Sequence, residues 1–276
     1  MGRWVSAAFA LATLVGAPSA ILQVVVGQTV FRAVGVPAGS KKALSVSCPP
    51  GYFALSAGVA KAGAGMTTLA ARPLGLRTFG FRLANAAGSD QRVTVAAACR
   101  RIRATRSTSP YLKLAPLRRL KVRVGSSSLR QAHLTCPSGT VPAGGGFDIG
   151  RSGALSVLER TQTLRTFSFS VLNRGEIARA ASFYGSCLTV VRPVGAGTAQ
   201  LQLRLETDTV PVPTGSTVST RTCPRGWLSL ATGYSLPAGL ELDGAAAVGR
   251  TGRWSLTNVF QKPVLVKLQL VCVRLG

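Results

Sequence analysis

Acid is scarce in this chain. Eight Asp and Glu residues stand against 33 Lys and Arg, leaving a formal net charge of +25. Histidine occurs once, as His133, and the six cysteines contain no Cys-x-x-Cys pair. These shortages exclude chemistry. Zinc sites are built from thiolates and imidazoles at short spacings, and His133 falls on the other face of an extended segment from Cys136, so no metal ligands are assigned. A Ser-His-Asp triad would have to use His133, and no Gly-x-Ser-x-Gly elbow occurs. Glycoside hydrolysis uses two carboxylates. Glu206/Asp208 and Glu241/Asp243 are i,i+2 pairs that would each share a strand face, and an exposed acidic face is the commoner reason for such pairs. No catalytic residue and no cofactor is assigned, and the reading is of a non-enzyme. Aromatics make up only 6% of residues, few for base stacking, and no nucleic-acid recognition motif is present.

Long apolar runs are also missing, except at the start. Arg3 precedes an uncharged run from Trp4, followed by the small residues Gly16-Ala17-Pro18-Ser19-Ala20. A short basic region, an apolar core and a small-residue cleavage zone read as a secretory signal peptide over residues 1–20. The competing reading is an uncleaved anchor, because no charge intervenes before Arg32. Gly16 and Pro18 in mid-run, and the strand-like Val24-Val25-Val26, count against it. No later segment has the ~20 apolar residues of a spanning helix.

What the chain does have is a threefold internal repeat. Cys48-Pro49-Pro50-Gly51, Cys136-Pro137-Ser138-Gly139 and Cys223-Pro224-Arg225-Gly226 recur 88 and 87 residues apart. Gly58, Gly146 and Gly233 each follow seven residues after the motif glycine. An aromatic arrives 31 residues after each leading cysteine, as Phe79, Phe167 and Trp254, and Cys99, Cys187 and Cys272 close the copies. Such a period divides the chain into repeats over 21–105, 106–194 and 195–276. Six cysteines in an exported chain are read as three disulfides. One leading and one trailing cysteine per copy favours Cys48–Cys99, Cys136–Cys187 and Cys223–Cys272.

Within each copy the apolar period is two, the mark of strands. Leu44, Val46 and Cys48 alternate with Ser45 and Ser47, and Phe79, Phe81 and Leu83 with Gly80 and Arg82. Val266, Leu268, Leu270 and Cys272 do the same in the third copy, although Arg221 there takes the parity of Cys223. No comparable stretch has a 3.6-residue period. The expectation is an all-β fold of three tandem disulfide-pinned β-sandwich-like repeats, with an arrangement about a pseudo-threefold axis as one way of sharing a core. Proline and glycine after each leading cysteine predict a turn. Glycine inside the next strand predicts a bulge, a close approach of another sheet, or a covering aromatic ring. Phosphate-cradling loops feed a helix and a Lys-Ser/Thr pair, neither of which follows here.

The order of Cys-Pro-x-Gly, glycine-rich strand, aromatic strand and closing cysteine resembles a repeat of secreted bacterial proteins. The resemblance runs from about Val24 to Cys272 and implies a fold and an exported location. It implies no activity and carries over no catalytic residue. The third copy departs from it, with tryptophan at the aromatic position and Phe260 where the other copies have Asn85 and Asn173.

Charge is spread unevenly. No acid occurs between Gln91 and Phe147, a stretch that holds Arg100, Arg101, Arg103, Arg118, Arg119, Lys121, Arg123 and Arg130. Lys121 and Arg123 alternate with Leu120, Val122 and Val124, which places both cations on one strand face. One reading is the solvated face of a basic protein. The other is a contact for an anionic polysaccharide, a cell-envelope polymer or extracellular nucleic acid bound without sequence preference. Two further functions remain open: a self-associating subunit of an extracellular matrix or filament, and a lectin-like binder of neutral glycans at Phe79, Phe167 or Trp254. The location read from these features is secreted, periplasmic or cell-surface.

Overall fold

Each Cys-Pro-x-Gly motif ends a strand in the same way. Proline gives the ladder no donor, and Gly51, Gly139 and Gly226 take φ values of 79°, 74° and 80°, which side chains rarely tolerate. Tyr52 N, Thr140 N and Trp227 N donate back to the carbonyls of Pro49, Pro137 and Pro224 at 3.2, 3.2 and 3.0 Å, closing three matching turns. The computed structural model describes residues 24–275 apart from 64, 104–110, 116, 152 and 192–200. The expected signal peptide over 1–20 and the Arg106–Pro110 linker lie outside the described residues.

The chain is all-β. Repeat 1 supplies β1 (Val24–Val36), β2 (Lys41–Ser47), β3 (Phe53–Lys61), β4 (Met66–Pro73), β5 (Thr78–Asn85) and β6 (Gln91–Arg103). Repeat 2 supplies β7 (Tyr111–Leu114), β8 (Arg118–Val124), β9 (Leu129–Thr135), β10 (Val141–Asp148), β11 (Leu155–Gln162), β12 (Thr166–Asn173) and β13 (Arg179–Val191). Repeat 3 supplies β14 (Leu201–Val212), β15 (Gly215–Thr222), β16 (Leu228–Ser235), β17 (Leu240–Val248), β18 (Thr251–Asn258) and β19 (Val264–Leu275).

Every repeat divides its strands between two sheets. In repeat 1, β1-β6-β3 form one sheet and β2-β5-β4 belong to another. That second sheet continues into repeat 2 through β4 and β10, as β2-β5-β4-β10-β13, with β7 and β8 both running along the outer edge of β13. The remaining strands of repeat 2 join repeat 3 through β11 and β16, in the order β9-β12-β11-β16-β19-β14. The last half of repeat 3 is β15-β18-β17. Its β17 backbone abuts β3 of repeat 1. Contact therefore passes from repeat 1 to 2, 2 to 3, and 3 back to 1. The repeats are not beads on a string, because sheets cross their boundaries.

The glycine strands explain how these seams close. A Cβ at Gly146 would lie 2.5 Å from the Ala71 carbonyl oxygen, and one at Gly233 would lie 2.8 Å from that of Arg160. At Gly58 the clash, with the Ala245 carbonyl, is tighter still. Ala71, Arg160 and Ala245 hold the same place in β4, β11 and β17, paired with Phe81, Phe169 and Trp254 respectively. Of the three demands that recurrent glycine could meet, close approach of a neighbouring backbone is the one found at this position.

Period two is obeyed inside the sandwiches. Val93, Val95, Ala97 and Cys99 of β6 are buried together, as are Val266, Leu268, Leu270 and Cys272 of β19. The disulfides pair Cys48–Cys99, Cys136–Cys187 and Cys223–Cys272 with Cα separations of 5.6, 5.6 and 5.7 Å. Each leading cysteine ends a strand in one sheet and its partner sits mid-strand in the other, so each bond ties the two sheets of a repeat. Closing loops of this size stabilises by roughly 4 kcal/mol each in the chain-entropy account. A central cluster draws on all three copies through Leu55, Ala143 and Leu230, each the fourth residue after its motif glycine.

Two expectations about the third copy are corrected. Val46 pairs with Phe79 and Leu134 with Phe167, but the matching Arg221 pairs with Gly252. Trp254 is therefore the counterpart of Phe81 and Phe169, not of Phe79 and Phe167. Repeat 3 has two residues fewer between its seam glycine and its asparagine (Gly233 to Asn258 spans 25 positions, Gly58 to Asn85 and Gly146 to Asn173 span 27), so an equal spacing from the cysteine lands two residues further along the strand. The indole spreads over the vacated position, lying 2.6 Å from where a Gly252 Cβ would be. Nor is the asparagine lost to Phe260. Asn258 occupies its place, donating to the carbonyls of Val212 and Lys262 and accepting from Phe260 N. Asn85 and Asn173 bridge the corresponding loops in the same way.

Candidate functional site

The cations of β8 arise from simple alternation. Leu120, Val122 and Val124 turn inward to increasing depth, while Arg119, Lys121 and Arg123 are exposed. Cross-strand pairing with β13 sets Arg119 opposite Tyr184, Lys121 opposite Ser182 and Arg123 opposite Ala180. Arg119 donates to Ser182 Oγ at 3.1 Å, and its guanidinium lies 5.7 Å from the centre of the Tyr184 ring. Arg118, at the strand's start, is exposed and donates to the Thr135 carbonyl. Among the described residues four ion pairs form, and none involves β8.

The same pairing adds a cation that the sequence segment does not contain. Arg179 stands opposite Val124, on the inward face of the pair and not the face of Lys121 and Arg123, and borders with them a shallow surface groove of about 430 Å³. Further along the sheet are Arg72 and Arg82, brought from repeat 1 by the β4–β10 seam. Arg72 also approaches the Tyr184 ring, at 5.6 Å, and both arginines pair with Asp148. Neither they nor Arg179 were legible as partners of β8, because only the register of β8, β13, β10, β4 and β5 brings them to one sheet.

The other predicted cations disperse. Arg130 is exposed but belongs to β9, in the next sheet. Arg101 lies on β6 and packs 4.6 Å from the centre of the Tyr52 ring. The Arg103 side chain lies outside the described residues. Arg100 is a correction: it is 0% exposed and unavailable to any polymer. Its guanidinium donates to the carbonyls of Gln28 and Cys99 in repeat 1 and of Ser229 and Gly249 in repeat 3. Burial without a carboxylate pulls its pKa down to about 10. One signal was present in the sequence. The residues after the other closing cysteines are Leu188 and Val273, both buried in the central cluster.

The aromatic candidates are likewise structural. Phe79, Phe167 and Trp254 are at most 2% exposed, so none can stack on a sugar. Trp254 Nε1 donates to the Gly233 carbonyl at 2.9 Å, satisfying the indole inside the core. Among the acids, a bulge between Leu242 and Gly244 breaks the expected shared face. Asp243 is buried and accepts from Thr257 Oγ1 while Glu241 stays exposed. Burial raises the Asp243 pKa, the Thr257 hydrogen bond opposes the shift, and the Glu241 charge adds to it. Glu206 and Asp208 pair with Arg204 and Arg221. His133 is exposed beside Ser168 Oγ at 3.2 Å, on the opposite face of β9 from buried Leu134. Among the described residues no three His, Cys, Asp or Glu side chains gather as a metal site. No helix among them is long and apolar enough to cross a membrane. No protein-family model matches the chain, and no curated protein matches its sequence.

Proposed function

We propose that this is an exported, non-catalytic protein that holds an anionic extracellular polymer, such as an acidic polysaccharide or cell-envelope polymer, against the outer face of β8. Extracellular nucleic acid, bound without sequence preference, satisfies the same chemistry. The observation that carries this reading is the pair Lys121 and Arg123 on the outer face of β8, bordering a groove that Arg179 also lines, with no carboxylate partner for any of the three among the described residues. Cations spaced along an extended strand can each neutralise one charge of a linear polymer, and binding then weakens steeply with salt. Three disulfides suit an oxidising compartment such as the periplasm or cell exterior. Lys and Arg along an edge strand also oppose edge-to-edge pairing, which weighs against the filament reading for this edge.

The test is retention of the oxidised protein on dextran sulfate and on neutral dextran at two ionic strengths. Because the whole chain is basic, the informative comparison removes equal charge from two places. Replacing Lys121, Arg123 and Arg179 by Gln should shorten retention on dextran sulfate and flatten its salt dependence. Replacing the exposed Arg225, Arg253 and Lys267 of repeat 3 by Gln should do much less. Equal losses from the two triple variants, or a flat salt response of the unaltered protein, would refute the β8 site.

A further inference from the structure

At one end of the molecule the three repeats converge on a cleft of about 300 Å³, at the small end of the range for ligand pockets. The copies contribute matching positions. Met66, Leu155 and Leu240, each at the start of its strand and paired with the asparagine that bridges the loop, form one apolar ring. A deeper position is held by Ala71 in repeat 1 and Ala245 in repeat 3, but by Arg160 in repeat 2. A strand position filled twice by alanine is thus filled once by a guanidinium, in a cleft whose wall mixes polar groups with the apolar ring.

Arg160 is only 8% exposed and has no ion pair among the described residues. Its Nη2 donates to the Thr232 carbonyl at 3.0 Å and lies 3.3 Å from Thr232 Oγ1. Among the described residues its Nη1 and Nε have no hydrogen-bond acceptor. The guanidinium carbon lies 5.6 Å from the centre of the Tyr234 ring, and the Tyr234 hydroxyl also has no hydrogen-bond partner among the described residues. Glu159, the adjacent acid, is engaged by Thr161 and Ser170 hydroxyls. The acid at the cleft, Glu241, is exposed, as is Arg174. Burial lowers the Arg160 pKa while Tyr234 raises it, and a guanidinium stays charged at neutral pH. A buried charge without a counter-ion is unfavourable, and a bound anion would relieve it.

We propose that this cleft binds a small amphiphilic carboxylate, its head group on Arg160 Nη1 and the Tyr234 hydroxyl and its apolar tail against the Met66–Leu155–Leu240 ring. A charge-assisted pair of donors fixes the head, and Met66, Leu155 and Leu240 offer a tail the apolar contact that an inorganic anion lacks. The size of the cleft admits a medium-chain acid and not a phospholipid. This site is separate from the β8 groove: none of Lys121, Arg123 and Arg179 lines it.

Calorimetric titration of the full oxidised chain with octanoate and decanoate, below their micellar concentrations, tests the proposal. Saturable binding of one molecule per chain is expected, with the neutral alcohol decanol binding more weakly. Arg160→Ala installs the residue found at the sister positions and should weaken decanoate by roughly 10- to 100-fold, the range of a charged hydrogen bond, while leaving decanol unchanged. Val157→Trp, which narrows the cleft, should remove both ligands and provides a second reading if Arg160→Ala does not fold. Decanoate binding that is unsaturable, involves several equal sites, or survives both substitutions would overturn the proposal. So would the absence of decanoate binding by the unaltered protein. Replacing Lys121, Arg123 and Arg179 by Gln should leave decanoate affinity unchanged, and a matching loss there would assign the anion to the surface instead.

Discussion

Arg100 shows how far the role of a residue depends on what surrounds it. Between Cys99 and Arg101 it reads as one more cation in a basic run, yet it is buried where Leu188 and Val273 sit in the other copies. Burial pulls its pKa down to about 10, which by linkage corresponds to a desolvation penalty of about 3 kcal/mol. The sign follows from a folded pKa below the unfolded one: the penalty is complete below about pH 10 and fades as pH rises from there toward the unfolded value. Opposing it are hydrogen bonds to four carbonyls, two on each side of the repeat 1–repeat 3 seam. Charged hydrogen bonds contribute about 1.5–3 kcal/mol each net of desolvation, while Arg100 Nε is buried with no acceptor among the described residues. Arg100→Ala should lower stability by roughly 3–5 kcal/mol, through a cavity and orphaned acceptors. Arg100→Leu, which restores volume but not donors, should lower it by less. Urea denaturation of the three proteins measures this, and a stabilised Arg100→Leu would show that desolvation wins. Folded Arg100→Leu should also keep its retention on dextran sulfate, since the side chain it loses was never on the surface.

At the scale of the strand, sequence period and sequence spacing differ in what they convey. Alternation placed the buried faces of β5, β6, β8 and β19 correctly because burial acts on each side chain locally. Spacing from a cysteine misaligned Trp254, because connections around β17 that are two residues shorter in total leave the strand's own period intact while shifting it against the count from the cysteine. Only the downstream asparagine, present as Asn258, marks the true register. The glycine of β3, β10 and β16 was legible as a constraint, but its partner was not. The carbonyl that approaches Gly58 belongs to Ala245, in the last repeat. The cations of the candidate site divide similarly: β8 was readable from alternation, whereas Arg179, Arg72 and Arg82 enter through pairing across strands and a seam. Gly58→Ala tests the close approach. The obstructing atom is backbone, so no rotamer change relieves it, and overpacking of this kind costs about 1–3 kcal/mol. Gly35→Ala, in β1, meets nothing within 4 Å and should be neutral or slightly stabilising. Thermal unfolding midpoints separate the two. Similar midpoints would mean that the β3–β17 seam yields easily.

For the whole molecule, the decisive point is that the covalent repeat and the folding unit differ. Each disulfide closes within one copy. The sheets do not: one runs from β2 to β13 across repeats 1 and 2, and another from β9 to β14 across repeats 2 and 3. Excising repeat 2 would leave β10 without β4 and β11 without β16, baring two strand edges and the apolar face around Ala143 and Leu188. Bare edges of this kind invite association, and a small sandwich loses much of its core when a shared cluster is divided. The intact chain should then unfold as one unit. In the chain without residues 1–20, which hold Trp4, the tryptophans allow a direct measurement, because Trp227 and Trp254 both lie in repeat 3 while strand signal comes from all three repeats. With disulfides intact, tryptophan fluorescence and far-UV circular dichroism should trace superimposable urea transitions, the signature of two-state behaviour. The slope of the transition should match exposure of the whole chain and not of one repeat. Fluorescence that leaves its folded baseline before or after the circular dichroism would mean that repeat 3 melts separately. In that case the seams at β11–β16 and β3–β17 would be interfaces between domains rather than the inside of one core.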